Sequence, residues 1–335
     1  VKKILNQRET IISDMLNGFI KAERDHIAVS KEHDRVLYRK EKQEGKVGIV
    51  IGGGSGHEPL FFGLLGKNLA DAVAVGNVFA APTPQTVLAA IHEANQGSGV
   101  ICLFGNYAGD VLNFDLAKEM ADSEGIAVVN VAISDDIASA PMEYRADRRG
   151  IAGDLFVIKE VAAAAAKGSS LELCHRIAEE CNQRTYSIGV GIKPGTNPVN
   201  GKPSFTLNDD EIEFGLGIHG EPGIEKMPIF SAEKLVKRMY SVFDEEITGY
   251  SEKEVIVCVN GLGSTTLMEL YIITNEFIDL LEGNGFLVLD TVVGNFCTTQ
   301  EMAGFSLTVQ ILTEEIKELY QMEAMSPHYF HKESY

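Results

Sequence analysis

Between Lys46 and Asp136 short apolar, largely β-branched runs alternate with helix-like stretches, and this alternation restricts the fold more than any other feature of the chain. The order is "KVGIVI", "DAVAVGNVFA", "TPQTVLAAIHEANQ", "GVICLFGNYAGD", "DLAKEMADSEG" and "IAVVNVAISDD". Strand and helix at this spacing predict βαβ units and a mainly parallel sheet. An alanine-rich helix, "DLFVIKEVAAAAAKG", and a second one, "SLELCHRIAEECNQ", close the region near Arg184, with Gly168, Ser169 and Ser170 supplying the break and the cap. The expected boundary is near residue 183.

Beyond it come "TYSIGVGI", a loop rich in Pro, Gly and Asn ("KPGTNPVNGKPSF"), and "EIEFGLGIHGEPGIEK". The stretch "EVIVCVNGLGSTTLMELYIITNEFIDLLEGNG" then predicts strand, turn and helix, and "FLVLDTVVG" and "FSLTVQIL" predict further strands. The second half is therefore expected to be α/β with a mixed sheet. A chain of 335 residues, 45% of them hydrophobic, has room for two such domains, 1–183 and 184–335. Neither a low-complexity linker nor a short repeat interrupts them.

Composition removes several classes of function. With Lys+Arg at 29 and Asp+Glu at 48 the net charge is −19, which repels a nucleic-acid backbone; a basic partner would have to make any DNA contacts. The cysteines Cys102, Cys174, Cys181, Cys258 and Cys297 are odd in number and never spaced C-x-x-C, as expected of reduced structural residues in a cytoplasmic protein. The opening "VKKILNQRETIISDMLNGFIKAERDH" is broken by charges every few residues and predicts an amphipathic helix rather than a signal peptide. No apolar run approaches the ~18 to 20 residues of a membrane span.

The glycine cluster "IGGGSGHEPLFF" follows directly on "KVGIV" and invites a phosphate-site reading. A P-loop would need lysine after the last glycine, but His57 stands there, and the same histidine takes the third-glycine position of a dinucleotide fingerprint. "NGLGSTTL" reads as a turn with a helix cap. The Gly54-Ser55-Gly56-His57 turn instead predicts backbone N–H groups at a helix start beside a ring that titrates near neutrality, suited to a small, hydroxylated, uncharged ligand. A lone histidine in a turn can equally be a hydrogen-bonded ring with no further role. Two other stretches favour a site: "FGNYAGDVLNF" ends a strand with a glycine turn and offers Asp110, and "GLGIHGEPGI" frames His219 with glycines. His26, His33, His92, His175, His328 and His331 are expected on solvated surface. "SDDIASAPMEYRADRRG" is expected to be a charged loop or a subunit contact.

Taken together, "GGGSGHEP", "NYAGDVLNF", "RRGIAG", "GKPSFTL" and "FGLGIHGEPGI" resemble the substrate-binding subunit of dihydroxyacetone kinases, the type whose phosphoryl donor sits on a separate subunit. The resemblance runs in order from about Lys3 to about Leu312. It implies a two-domain α/β homodimer that holds dihydroxyacetone as a hemiaminal on His219, without cofactor or metal of its own. His57 then matches the acid/base histidine, Asp110 the group that takes the substrate hydroxyl proton, and the backbone of Gly54, Ser55 and Gly56 the lining of the triose site. Chemistry agrees: an imidazole nitrogen can add to a ketone, whereas polyols such as glycerol offer no electrophilic carbon.

The chain also departs from the kinase pattern. Where those subunits read Lys-Asn-Tyr-Thr-Gly-Asp it has Gly105-Asn106-Tyr107-Ala108-Gly109-Asp110; for Thr-Ser-Pro-Thr-Pro-Asp it has Ala80-Ala81-Pro82-Thr83-Pro84-Gln85; for Gly-Ala-Thr-Pro-Leu it has Gly263-Ser264-Thr265-Thr266-Leu267. A cation, hydroxyls and a carboxylate are gone while the histidines stay, and such groups stabilise a transferring phosphoryl group. The resemblance thus implies a non-catalytic dihydroxyacetone sensor, a coactivator paired with a TetR-type DNA-binding regulator. The alternative partner is a kinase donor subunit, with this chain as the substrate-binding half.

Overall fold

A computed structural model describes residues 2–332. The first sheet has the order β1-β2-β4-β3-β5-β6, from β1 (Ile27–Val29), β2 (Val36–Arg39), β3 (Gly48–Ser55), β4 (Ala72–Val78), β5 (Val100–Gly105) and β6 (Val128–Ile133). Its β4-β3-β5-β6 portion is parallel, and only β2 runs against its neighbours β1 and β4. The second sheet has the order β11-β10-β12-β7-β8-β9, from β7 (Thr185–Lys193), β8 (Glu211–Phe214), β9 (Glu225–Pro228), β10 (Glu254–Gly261), β11 (Leu287–Gly294) and β12 (Ala303–Ile311). There β10–β11 is the parallel pair and the remaining pairs are antiparallel. The protein is thus α/β, with one mainly parallel and one mixed sheet.

Both sheets are covered on both faces because both faces of their central strands are apolar. In β3, Ile49 and Ile51 join one core while Val50 joins another; in β10, Ile256 and Cys258 turn one way while Val255, Val257 and Val259 turn the other. Helices α2 (Pro84–Ala94) and α3 (Ala108–Ser123) cover the outer face of the first sheet, and α6 (Ala232–Ile247) and α7 (Leu267–Gly283) that of the second. Between the sheets lie α1 (Ile11–Ala22), α4 (Asp154–Ala166), α5 (Leu171–Arg184) and α8 (Glu314–Gln321). The alanine run now has its reason: α4 is buried from Asp154 to Ala165, including Asp154, Lys159 and Glu160, and its small side chains let its neighbours pack close. In the amphipathic N-terminal stretch the α-helix is confined to α1, after a 3-10 turn at Arg8–Thr10.

Caps fall where the residues indicate. Thr83 caps α2, which has proline in its first turn, Ser170 caps α5 after Gly168 at φ +86°, and Thr266 caps α7 through a capping box with Glu269. After β12 and α8 the chain crosses back to the first sheet's side. There Met325 exchanges backbone hydrogen bonds with Lys67, and β13 (Ala324–Met325) pairs with β14 (Phe330–His331). All five cysteines are buried free thiols. No helix among the described residues is long and apolar enough to cross a membrane.

Two expectations are corrected here. The 134–150 run, expected as a charged loop or subunit contact, is exposed over most of 141–147 but buried at its ends: Asp135, Asp136 and Arg148 are fully buried, Arg148 forms a bidentate pair with Glu246 of α6, and Arg149 pairs with Asp136. Opposite charges that close on one another can leave water, and the Arg148–Glu246 pair ties the segment after β6 to α6. Among the surface histidines, His331 packs its ring 4.6 Å from that of Tyr320 with its side chain 10% exposed. His33 and His92 are half-buried and hydrogen-bonded.

Candidate ketose-binding site

The site lies where the carboxyl ends of β3 and β5 meet the loop between β8 and β9. At the end of β3 the chain turns through Gly56, whose φ of +110° suits glycine and whose missing side chain leaves room for the Phe79 ring. Ser55 gives its hydroxyl to the Gly76 carbonyl at 2.8 Å, so only its backbone can line a ligand. Gly54 lies against Phe79 and Ala80. The expected helix start after Gly56 does not form: residues 57–61 are turn, followed by one short 3-10 turn at Phe62–Leu64. Pro59 favours an extended Glu58, and the Gly56 N–H goes to the Glu58 carboxylate at 2.9 Å, so the turn closes on itself.

His57, 2% exposed, places its Nδ1 2.7 Å from the Thr298 carbonyl and its Nε2 3.0 Å from Nε2 of His219. His219 in turn places Nδ1 2.9 Å from Glu221 Oε1, while its backbone N–H donates to Glu221 Oε2 at 2.9 Å. A carbonyl and a carboxylate can only accept, so the chain Glu221–His219–His57–Thr298 has an acceptor at each end. Its three contacts need one more proton than two neutral imidazoles carry. Making all three as hydrogen bonds at once therefore takes one proton beyond the neutral pair, beside the Glu221 carboxylate. Burial, then the charge of His219, lowers His57 to about 3, against the Thr298 hydrogen bond and Glu221. Burial acts to raise Glu221, but the hydrogen bond and charge of His219, helped by Arg149, hold it at about 2.

Asp110 sits in the first turn of α3. It is 8% exposed, one carboxyl oxygen is buried without a partner, and burial raises it to about 7 while the charge of His219 opposes the rise. Two aromatic rings complete the enclosure. Tyr107 meets the His219 ring edge-on at 4.7 Å, and Phe79, held at φ +54°, stands 5.2 Å from His57 and 5.9 Å from His219. The structure thus brings His57, His219 and the Gly54–Gly56 turn together, with Asp110 close enough to feel the His219 charge.

Sequence reasoning missed Phe79, Tyr107, Glu221, Arg149 and Thr298. Tyr107 and Glu221 stand inside the glycine-framed motifs, so a search for the partner of each histidine would have met them. Thr298 contributes a backbone carbonyl, which has no residue signature. The Ser264–Thr266 departure has a structural use: Thr265 bonds to Gly304 and Thr266 caps α7. No group of three His, Cys, Asp or Glu side chains among the described residues is placed to hold a metal ion.

Two glycine-framed histidines meeting between a parallel and a mixed sheet define a class, and comparison with known proteins identifies it. The Dak1 domain family matches residues 17–328, and the chain belongs to that family. It is 39% identical over 330 residues, 98% of this chain and 99% of the relative, to the PTS-dependent dihydroxyacetone kinase 2, dihydroxyacetone-binding subunit DhaK of Listeria innocua. It is 40% identical over 328 residues to the L-erythrulose kinase of Pectobacterium atrosepticum, covering 97% of this chain and 55% of that enzyme. Among solved structures, the dihydroxyacetone kinase operon co-activator Dha-DhaQ superposes with a TM-score of 0.89 at 32% identity, over 95% of this chain and 98% of the other.

Proposed function

We propose that this chain binds dihydroxyacetone covalently through His219 and acts as a sensor that activates a TetR-type DNA-binding regulator, itself transferring no phosphoryl group. The observation that carries the covalent step is the Nε2–Nε2 contact, with a carboxylate behind one ring and a carbonyl behind the other. In this reading, as a ketone enters, a proton between the two Nε2 atoms settles on His57 and leaves the His219 lone pair free. That nitrogen bonds to the carbonyl carbon, the π electrons move to oxygen, and His57 delivers its proton there. The product is a neutral hemiaminal hydroxyl on an imidazolium whose charge faces Glu221; no water leaves. Asp110 exchanges a proton with a terminal hydroxyl, and Tyr107 and Phe79 exclude solvent.

The sensor half of the reading is supported by the likeness to a co-activator and by where the departures fall. Gly105 immediately precedes the Asn106–Tyr107 turn, Ala80 and Ala81 border Gly54 and Gly109, and Ala80 and Gln85 are exposed. They flank the glycine turn after β3 and the start of α3. A second reading, the substrate-binding subunit of a multi-subunit dihydroxyacetone kinase, has in its favour the full-length likeness to a relative so named.

Intact-protein mass spectrometry after incubation with dihydroxyacetone tests the first half. The protein is expected to gain one whole triose, and His219→Ala none; an unchanged adduct in that variant makes another residue the nucleophile. Mixing the protein with dihydroxyacetone and a charged donor subunit from an authentic kinase separates the two readings. The sensor forms the adduct, yields no dihydroxyacetone phosphate, and binds its regulator with an affinity that changes with the triose. Turnover near that of the authentic subunit, with no triose-dependent binding to a DNA-binding protein, restores the kinase reading.

A further inference from the structure

Asn260, near the end of β10, is out of place by composition. Asparagine is depleted in strands, yet this side chain is fully buried, following the core residues Ile256 and Cys258 on the same side of the strand. Its amide is used on both sides. Oδ1 accepts from the backbone N–H of Phe296 at 2.8 Å and of Cys297 at 2.9 Å; Nδ2 donates to the Cys297 carbonyl at 2.7 Å and the Ser306 hydroxyl at 3.1 Å.

The loop it holds, 296–300, reaches both histidine-bearing segments. On the His57 side, Thr298 N–H donates to the His57 carbonyl at 3.2 Å and Gln300 N–H to that of Gly56 at 3.0 Å. The Leu60 N–H donates to the Phe296 carbonyl at 3.1 Å and the Thr298 hydroxyl to the Glu58 carbonyl at 2.8 Å, while the Thr298 carbonyl accepts from His57 Nδ1. On the His219 side, the Thr299 hydroxyl donates to the Ile218 carbonyl.

We propose that Asn260, which touches neither histidine, is a positioning residue for the pair: its amide sets the loop that fixes the His57 tautomer through the Thr298 carbonyl and holds the two histidine segments in register through Thr298 and Thr299. This rests on the covalent reading for its effect on ligand binding, but the tautomer is a property of the protein alone. Titratable groups facing the assembly are His219 and Glu221 from the β8–β9 loop, Glu58 from the turn, Asp110 from α3, and Asp135, Asp154 and Cys258 around Cys297.

The discriminating variant is Asn260→Asp, which keeps the shape and both acceptor contacts but, when ionised, turns an oxygen toward the Cys297 carbonyl. Protonation restores a donor there. ¹⁵N spectra of the His57 ring are expected to show the Nδ1–H form in the parent protein and a mixture with Nε2–H in Asn260→Asp at pH 8. Adduct formation in that variant is expected to fall about 10²-fold at pH 8, as for a misplacement of about 1 Å, and to recover relative to the parent as pH falls. A folded Asn260→Asp with the parent's tautomer and pH profile overturns the proposal. Should that variant not fold, Thr299→Val carries the test: slower adduct formation, restored by Thr299→Ser, supports the clasp, and an unchanged rate overturns it. A parent protein that forms no adduct sinks the covalent reading alone, because the tautomer readout still decides the role of Asn260.

Discussion

Asp110 is subject to two opposed influences. The start of α3 favours a negative charge, but burial favours the neutral acid, and burial wins because one oxygen has neither water nor a partner. With its acidity at about 7 the group is a donor to a ligand hydroxyl below neutrality and an acceptor above it. Adduct stability followed by mass spectrometry is expected to show an inflection near pH 7 that Asp110→Asn abolishes. Proton exchange at the hydroxyl should slow by about 10²- to 10⁴-fold in that variant. The same residue costs stability: its folded value exceeds the unfolded one, so the folded form binds more protons and stability falls as pH rises from about 4 to about 7. Asp110→Asn should therefore melt higher than the parent above pH 7 while binding the triose less well. An unchanged inflection assigns the pH dependence to another group.

At the scale of elements, the loop carrying His219 works by closeness to its own backbone. A side chain on Gly217 would come within 2.3 Å of Glu221 Oε2 and 2.6 Å of an Arg149 nitrogen. Gly217→Ala should then leave the strands intact but push the Glu221 carboxylate off His219, slowing adduct formation by roughly 10²-fold; a parent-like rate would show that Glu221 does not orient the ring. The glycine frames around His57 and His219 make the close approach of these two loops legible in the sequence, because glycines clustered after an apolar strand mark close backbone approach. Strands β3 to β7 and β10 to β12 and the helices α2 to α5 and α7 are legible from their apolar patterns for the same local reason, whereas the short strands β1, β2, β8 and β9 are not. What is not legible depends on distance in space. The loop 296–300 acts largely through backbone groups, Asn260 lies in an otherwise ordinary strand, and Arg149 meets Asp136 across a turn whose charges look alike whether solvated or buried. The helix expected after Gly56 fails because Pro59 and the Glu58 carboxylate capture the turn first.

Over the whole molecule, the two sheets share the layer that α4 occupies, so the halves read from the sequence do not have wholly separate cores. Glu160 tests that continuity. It projects from α4, is fully buried, accepts from Gln310 of β12 at 2.8 Å, and keeps its other oxygen unpartnered. Burial raises it to about 8, although Cys181, Gln310 and Lys159 act in the opposite sense. The folded protein therefore holds this proton more tightly than the unfolded chain, and its contribution to stability, complete below the unfolded value of about 4.5, is lost as pH rises to about 8. Glu160→Gln keeps the shape and removes the charge. It should flatten the decline of melting temperature over that window and raise it by several degrees at pH 8. Because the side chain joins the central helix to the second sheet, the unfolding transition should stay single when followed by a probe in each half. Two separated transitions, or a variant with the parent's pH dependence, would mean that the sheets unfold independently or that Glu160 ionises without consequence for the layer between them.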